Sequence, residues 1–378
     1  MKVAITVLVS CVAALLALGM VMLYSSSMAQ VGERYLFTQL VWCALGLLLC
    51  AAATLIDYRW LKHWAGPLLL VTVVLLVLVL VPRFSRPING ARRWFSLGLM
   101  RFQPSELAKM ALIIALAWYG ERYQRQMPNW KRGVLIPVLF IGLVLGPVFI
   151  EPDRGTTILL AGISGALLLV AGVRWKYIVP TVLLAVVAIG VSLWHDPMRS
   201  KRIFAWLHPE EHKSGVGYQS YEAMLALGAG GLTGLGLGNG RQKLGFVPEH
   251  HTDFILSIIG EELGLVATLL VVAGFVAIVI CGICIALNAP DTFGLLLGSG
   301  VAFLIGLQAL INIGVVTSAL PNKGLPLPFI SYGGSNLLAM LACIGLLFSI
   351  ARQGHAREKV SNSAAADHGD NPFAAKAT

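Results

Sequence analysis

Ten apolar stretches, each near the length needed to cross a lipid bilayer, follow one another along the 378 residues, and no other feature restricts the fold so severely. Crossing about 30 Å of hydrocarbon takes roughly 20 residues at 1.5 Å each. Windows of that kind fall at 3–24, 36–56, 63–82, 105–120, 133–150, 156–173, 177–195, 254–286, 293–319 and 329–351. Lipid offers no partner to a backbone N–H or C=O, and these blocks lack the short alternation of a barrel, so they must be helices. The expected fold class is therefore all-α: a polytopic integral membrane protein with ten transmembrane helices. A large extracytoplasmic loop, about 196–252, falls between helices 7 and 8. Residues 1–352 form the membrane domain in this reading. Residues 353–378, polar and rich in small side chains, form a disordered cytoplasmic tail.

The first stretch follows Met1-Lys2 as a signal peptide would. Its apolar run is longer than the 7–15 residues or so of a signal h-region, so it reads as a span. Only 12% of residues are charged against 57% hydrophobic, which excludes an ordinary soluble domain. A formal charge of +10 would suggest nucleic acid in a soluble protein. Here no basic run is interleaved with aromatics, so no nucleic-acid partner is expected, and the cations meet lipid headgroups or an anionic lipid-linked substrate. An even number of spans puts both termini on one face. Of the 28 Lys and Arg, thirteen fall on that face and fourteen on the other, with Lys109 inside a span, so the positive-inside rule does not orient the chain. Eleven of the fourteen lie in two long loops, 83–104 and 196–252. They are either a solvated surface over acidic headgroups or a binding surface for something anionic.

Several motifs point to chemistry that their context does not support. All six cysteines lie in apolar runs and read as small hydrophobes, and Cys281-Gly-Ile-Cys284 has redox spacing without a βαβ setting. His208-Pro-Glu-Glu-His212 matches the H-x-x-E-H pattern of a zinc protease but sits in a charged loop with Pro209 inside it. His250 and His251, as neighbours, would point about 100° apart on a helix. No protein-held metal site is expected. The stretch "GAGGLTGLGLGNGRQK" (228–243) contains no nucleotide-binding fingerprint. It is either a set of turns and close backbone contacts, or a row of exposed amides that, with Arg241 and Lys243, would hold a diphosphate.

Other constellations survive. In "RFQPSELAKMALIIALAW" Pro104, Ser105 and Glu106 mark a helix start, and Glu106 and Lys109 share one face. Their pairing is either structural or places Lys109 in a polar cavity. "EPDRGTT" (151–157) puts Asp153 at a turn between spans. "ALPNKGLPLPFISYGGSNLL" (319–338) is a Pro- and Gly-rich re-entry carrying Lys323, Ser331, Ser335 and Asn336; irregular backbone at that depth requires protein interior or a watery cavity. "PEHHTDFILSIIGEELG" (248–264) opens a span with histidines and an acid. Thr252 or Asp253 can be a helix N-cap. If the helix began there, Glu261 and Glu262 would project about 80° and 180° from Asp253 and lie roughly 12–14 Å deeper, too far for a glycosidase-type carboxylate pair. They read instead as ties to neighbouring helices or the cavity wall. Asp253 is then a lone carboxylate at the membrane surface beside basic loops. That combination suits deprotonation of a sugar hydroxyl while a lipid diphosphate leaves, with or without a divalent cation (Mg2+ or Mn2+).

Taken in order, "YSSS" (24–27), "NGARRWF" (89–95), "FQPSELAK" (102–109), "EPDRGTT", "GLGNGRQKLGFVPEHHTDFI" and "LPLPFISYGGSN" resemble the SEDS family (shape, elongation, division and sporulation) over nearly the whole chain. "ALGAGGLTGLGLGNGRQK" and "IIGEELG" look more like its division branch than its elongation branch. The resemblance implies a peptidoglycan glycosyltransferase that polymerises lipid II into β-1,4 glycan strands at the division septum. It also implies a class B penicillin-binding protein, a transpeptidase, as partner. The location it implies is the plasma (inner) membrane at the division site, with both termini cytoplasmic. Asp253, in the H-T-D-F motif, is by this resemblance the catalytic general base for the acceptor hydroxyl. Arg93, Glu106, Lys109, Asp153, Lys323 and Ser335 carry over as substrate-binding cavity positions; Arg241, Lys243, His251 and Ser331 join them from the reading of the loops. Two residues depart from the family pattern: Arg154 stands where an apolar residue is usual, and Asn336 where a serine is. An elongation-type polymerase, and a flippase or transporter of lipid-linked sugars, are the alternative readings; the chain shows no obvious inverted repeat of the transporter kind.

Overall fold

Each of the ten apolar windows coincides with a helix in the computed structural model, which describes residues 1–27, 32–85, 87, 91–97, 100–194, 197–208, 211, 213, 215, 217–245 and 251–369. In chain order these are α1 (Lys2–Ser27), α2 (Arg34–Leu55), α3 (Leu61–Leu80), α4 (Pro104–Arg122), α5 (Ile136–Ile150), α6 (Arg154–Val170) and α7 (Trp175–Trp194). After two loop helices, α8 (Pro197–Leu207) and α9 (Tyr218–Ala229), come α10 (Ile255–Leu287), α11 (Thr292–Val316) and α12 (Gly334–Gly369). Seven of the helices are long and apolar enough to cross a membrane; α6 and α7 are shorter apolar helices. The architecture is that of a polytopic helical membrane protein.

The helices divide into an interior and a rim. In α11 72% of the apolar window is buried in protein and in α12 83%, against 17% in α2, so α11 and α12 are central and α2 presents its leucines outward. The α4 helix is also interior: Lys109 and most of its apolar side chains are buried. Here α4 packs against α3 and α11, α10 against α1 and α11, and α2 along α12.

Three features go beyond what the sequence marked. The fold is not purely α-helical: β1 (Phe95–Leu97) pairs antiparallel with β2 (Met100–Phe102), with Ser96 opposite Arg101. Strands this short leave no periodicity to read. The 196–252 loop is partly helical, and the α8 residue Trp206 is tied by its indole N–H to the Ser318 carbonyl at 2.7 Å. The α12 helix runs on past the span read from the sequence, as far as Gly369.

The α10 helix is broken. Gly264 has φ 78° and ψ −175°, a backbone state open essentially to glycine alone. The break is sealed by the preceding glycine-rich loop: Leu235 N–H and Gly236 N–H donate to the Glu261 and Glu262 carbonyls, while Leu265 N–H and Val266 N–H donate to Gly231 and Leu232. A helix interrupted at membrane depth needs such replacement partners. The fit depends on absent side chains, since a Cβ on Gly234 would stand 2.2 Å from the Glu262 carbonyl oxygen.

Candidate active site

At one end of the bundle, the starts of α2, α4, α6 and α12, the hairpin, residues 251–253 and the 324–326 loop enclose a cavity of about 610 Å³. Its lining includes the cations Arg34, Arg93 and Arg101 and the acids Glu106, Asp153 and Asp253. Helices begin here because Pro104 occupies the first turn of α4 and Asp153 caps α6.

Glu106 and Asp153 are each held by hydrogen bonds within the fold. The buried Glu106 accepts from Lys109 Nζ at 2.8 Å and from Asn336 Nδ2 at 3.0 Å. Lys109 is fully buried and also donates to Gln308 Oε1 at 2.9 Å, so it reaches the cavity only through Glu106. Asp153 accepts from the Thr156 N–H at 3.0 Å and hydroxyl at 2.9 Å, and from Gln103 Nε2 at 3.4 Å. Arg93 donates to the carbonyls of Glu151 and Pro152, both at 2.9 Å, and so holds the hairpin to the α5–α6 turn. Behind it the Glu151 carboxyl is buried with neither oxygen hydrogen-bonded. Burial first, and then the Asp153 charge, push it up to about 8, against a smaller opposing pull from Arg93. Arg154, the first departure, lies over the Phe149 ring with its guanidinium carbon 3.0 Å from the centroid. Asn336, the second, supplies the Glu106 hydrogen bond.

Asp253 is placed differently. The N-cap of α10 is Phe254, one residue past Asp253. Its carboxylate lies against Gly324, where an added Cβ would stand 2.5 Å from Oδ2. The backbone beneath it is held at three consecutive carbonyls. Tyr332 N–H donates to His251 at 3.0 Å, Ser331 Oγ to Thr252 at 2.6 Å and Asn312 Nδ2 to Asp253 at 2.8 Å. The His251 ring stacks on Tyr35, 4.9 Å between centroids, and Tyr35 stacks in turn on Tyr332 at 4.7 Å.

The structure thus brings Arg93, Glu106, Asp153, His251 and Asp253 to one cavity. Ser331 and Ser335 brace its wall: the Ser335 hydroxyl donates to the Arg101 carbonyl at 2.9 Å. Lys323 is half-buried beside the cavity residue Gly324, and burial lowers its pKa below the usual lysine value. Lys243 is a correction. It is buried away from the cavity, 2.6 Å from Glu262 Oε1 and 2.9 Å from Ser25 Oγ. The amides of the glycine-rich loop are likewise turned to internal anions: Gly238 N–H donates to Glu262, and Arg241 N–H and Gln242 N–H to Glu261. Of the two readings of this loop, turns with close backbone contacts or a diphosphate cradle around Arg241 and Lys243, the structure shows the first, with these amides taken by the protein's own glutamates. Those glutamates tie the helix to its neighbours, as their depth suggested.

Among the described residues no three His, Cys, Asp or Glu side chains are grouped to hold a metal, and Glu106 and Asp153 are already engaged. Pro209, Glu210 and His212 of the zinc-like motif, and His250, lie outside the described residues.

Sequence reasoning missed Arg34, Arg101, Trp42 and Trp94 in the lining, and Gln308 and Asn312 behind it. Arg34 and Arg101 each border a span on the loop-rich face, a signal that was available. Gln308 and Asn312 lie four apart within an apolar span, and that spacing on one helix face could have exposed them.

Residues 6–356 match the family model described as the FtsW, RodA and SpoVE cell cycle protein. The chain is 40% identical over 355 residues to the probable peptidoglycan glycosyltransferase FtsW of Coxiella burnetii, covering 91% of this chain and 95% of that one. The protein of the same name in Trichlorobacter lovleyi is 39% identical over 351 residues, with 91% and 92% covered. A solved chain from a peptidoglycan synthase complex, described as coordinating polymerization and crosslinking, superposes with a TM-score of 0.79 at 32% identity, covering 92% of this chain and 97% of that one.

Proposed function

The chain belongs to the cell cycle protein family of FtsW, RodA and SpoVE, and from that footing we propose that its cavity is the polymerising site of a peptidoglycan glycosyltransferase, with Asp253 as general base. The observation that carries the assignment is that Asp253 lines the same cavity as Arg34, Arg93 and Arg101. Glu106 is paired with Lys109, Asp153 caps α6, and Asp253 stands at the wall on a backbone fixed from α11 and the α12 entry.

In this scheme the acceptor sugar of lipid II enters with one hydroxyl toward Asp253. The carboxylate takes the hydroxyl proton as the oxygen attacks the anomeric carbon of the lipid-linked strand. The bond to the lipid diphosphate breaks on the opposite side, which inverts that carbon and gives a β-1,4 link. Charge gathering on the departing diphosphate is met by Arg34, Arg93 and Arg101, three cations that line the cavity. The reading includes ten spans with the cavity facing outward and both termini cytoplasmic. It also includes work at the septum beside a class B penicillin-binding protein, in line with the crosslinking named for the solved complex.

The test is lipid II polymerisation by the purified protein with its transpeptidase partner, wild type against Asp253→Asn. The variant is expected to keep its fold and lose about 10²–10⁴-fold in rate, the usual contribution of a positioned base. Chain growth at a near-normal rate in Asp253→Asn would return the search to the other cavity acids.

A further inference from the structure

We propose that Asn312, supported by Gln308 one turn away on α11, is a positioning residue that fixes both Asp253 and the wall against which its carboxylate lies. The inference rests on the reading of Asp253 as the base.

Asn312 is buried, and both hydrogens of its Nδ2 are used: one goes to the Asp253 carbonyl at 2.8 Å, the other to the Leu325 carbonyl at 2.7 Å. Two carbonyl acceptors leave no choice about which end of the amide faces them, since an oxygen there would be repelled. Gln308 repeats the arrangement, donating from Nε2 to the Pro326 carbonyl at 2.8 Å while its Oε1 accepts from Lys109. Its orientation is also fixed, by a pure donor on one side and a pure acceptor on the other. Successive loop carbonyls, Leu325 and Pro326, are thus pinned by α11 residues four apart, on one helix face.

The consequence is geometric. The peptide of Asp253 and the backbone next to Gly324, which meets its carboxylate, are joined through a single side-chain amide. Moving that amide moves base and wall together. The line extends to the buried Asn336–Glu106–Lys109 group, so the cavity's ion pair and its base share one rigid frame. The arrangement carries a cost: Asn312 Oδ1 is buried with no hydrogen-bond partner, a penalty that a purely cohesive helix contact would avoid by using a residue without the spare acceptor. Polar side chains within spans can serve only as glue between helices. The alternative to be excluded is therefore a purely structural Asn312.

The experiment compares wild type, Asn312→Leu, Asn312→Ser and Asp253→Asn in complex with the transpeptidase partner. It measures kcat and KM for lipid II polymerisation per folded molecule, the pH–rate profile and thermal unfolding. The expected result for Asn312→Leu is a kcat lowered by about 10²-fold, the scale of loss for a reacting group displaced by about 1 Å, with KM little changed and the acid limb of kcat/KM moved. Asn312→Ser keeps one donor and is expected to fall between, and it decides the matter if Asn312→Leu does not fold. A normal kcat per folded molecule and an unmoved acid limb, with only a lower melting temperature, would overturn the proposal while an inactive Asp253→Asn left the base assignment standing. Activity in Asp253→Asn would remove the base assignment itself, whatever Asn312 does.

Discussion

Gly324 and Asp253 meet so closely that the glycine is part of how the acid is aimed. An added Cβ would stand 2.5 Å from Oδ2, and Gly324 needs no unusual φ, so Gly324→Ala alters the carboxylate's place with little backbone strain. The expected outcome is a fall of about 10-fold or more in kcat without loss of folded protein, read by polymerisation rate against circular dichroism. Lys243 makes the opposite prediction. Its removal leaves Glu262 buried without its cation, so Lys243→Met should lower stability by about 3–5 kcal/mol in denaturation of the detergent-solubilised protein. The KM for lipid II should stay unchanged. Asp253 stood out in the sequence as an acid at the mouth of an apolar run, and the structure places it in the cavity lining. Lys243 was misread because a lysine beside glycines and an arginine looks like an anion site until Glu262, 19 positions away, is seen beside it.

At the scale of the element, hydropathy marked every long helix, since twenty apolar residues leave no other backbone solution in lipid. The hairpin, α8 and α9 were not marked, because they are short and rest on tertiary partners. The break in α10 was also hidden, as Gly264 sits in an otherwise apolar stretch; the adjacent Glu261-Glu262 was the clue that something polar had to meet the helix there. Gly264→Ala is expected to cost at least about 1–3 kcal/mol from its backbone conformation alone. It adds a contact with Gly234 N, 2.4 Å from the new Cβ. A melting temperature equal to wild type would show that the loop can dock on an unbroken helix.

For the molecule as a whole, pH acts through Glu151. Its folded value of about 8 lies above the ordinary 4.5, so the stability tied to its neutral form is fully present below about 4.5 and is lost as pH rises through about 8. Thermal unfolding should therefore show wild type losing stability relative to Glu151→Gln across that window; parallel curves would count against a neutral Glu151. The sealed break in α10 bears finally on the order in which the protein is made. All its loop partners, Gly231 to Gly236, as well as Ser25, leave the ribosome before Val266 does, so that junction can close while the chain is still growing. The clamp on residues 251–253 must wait for Asn312, Ser331 and Tyr332. A nascent chain halted after α10 thus has every partner of that junction but lacks the groups that hold residues 251–253.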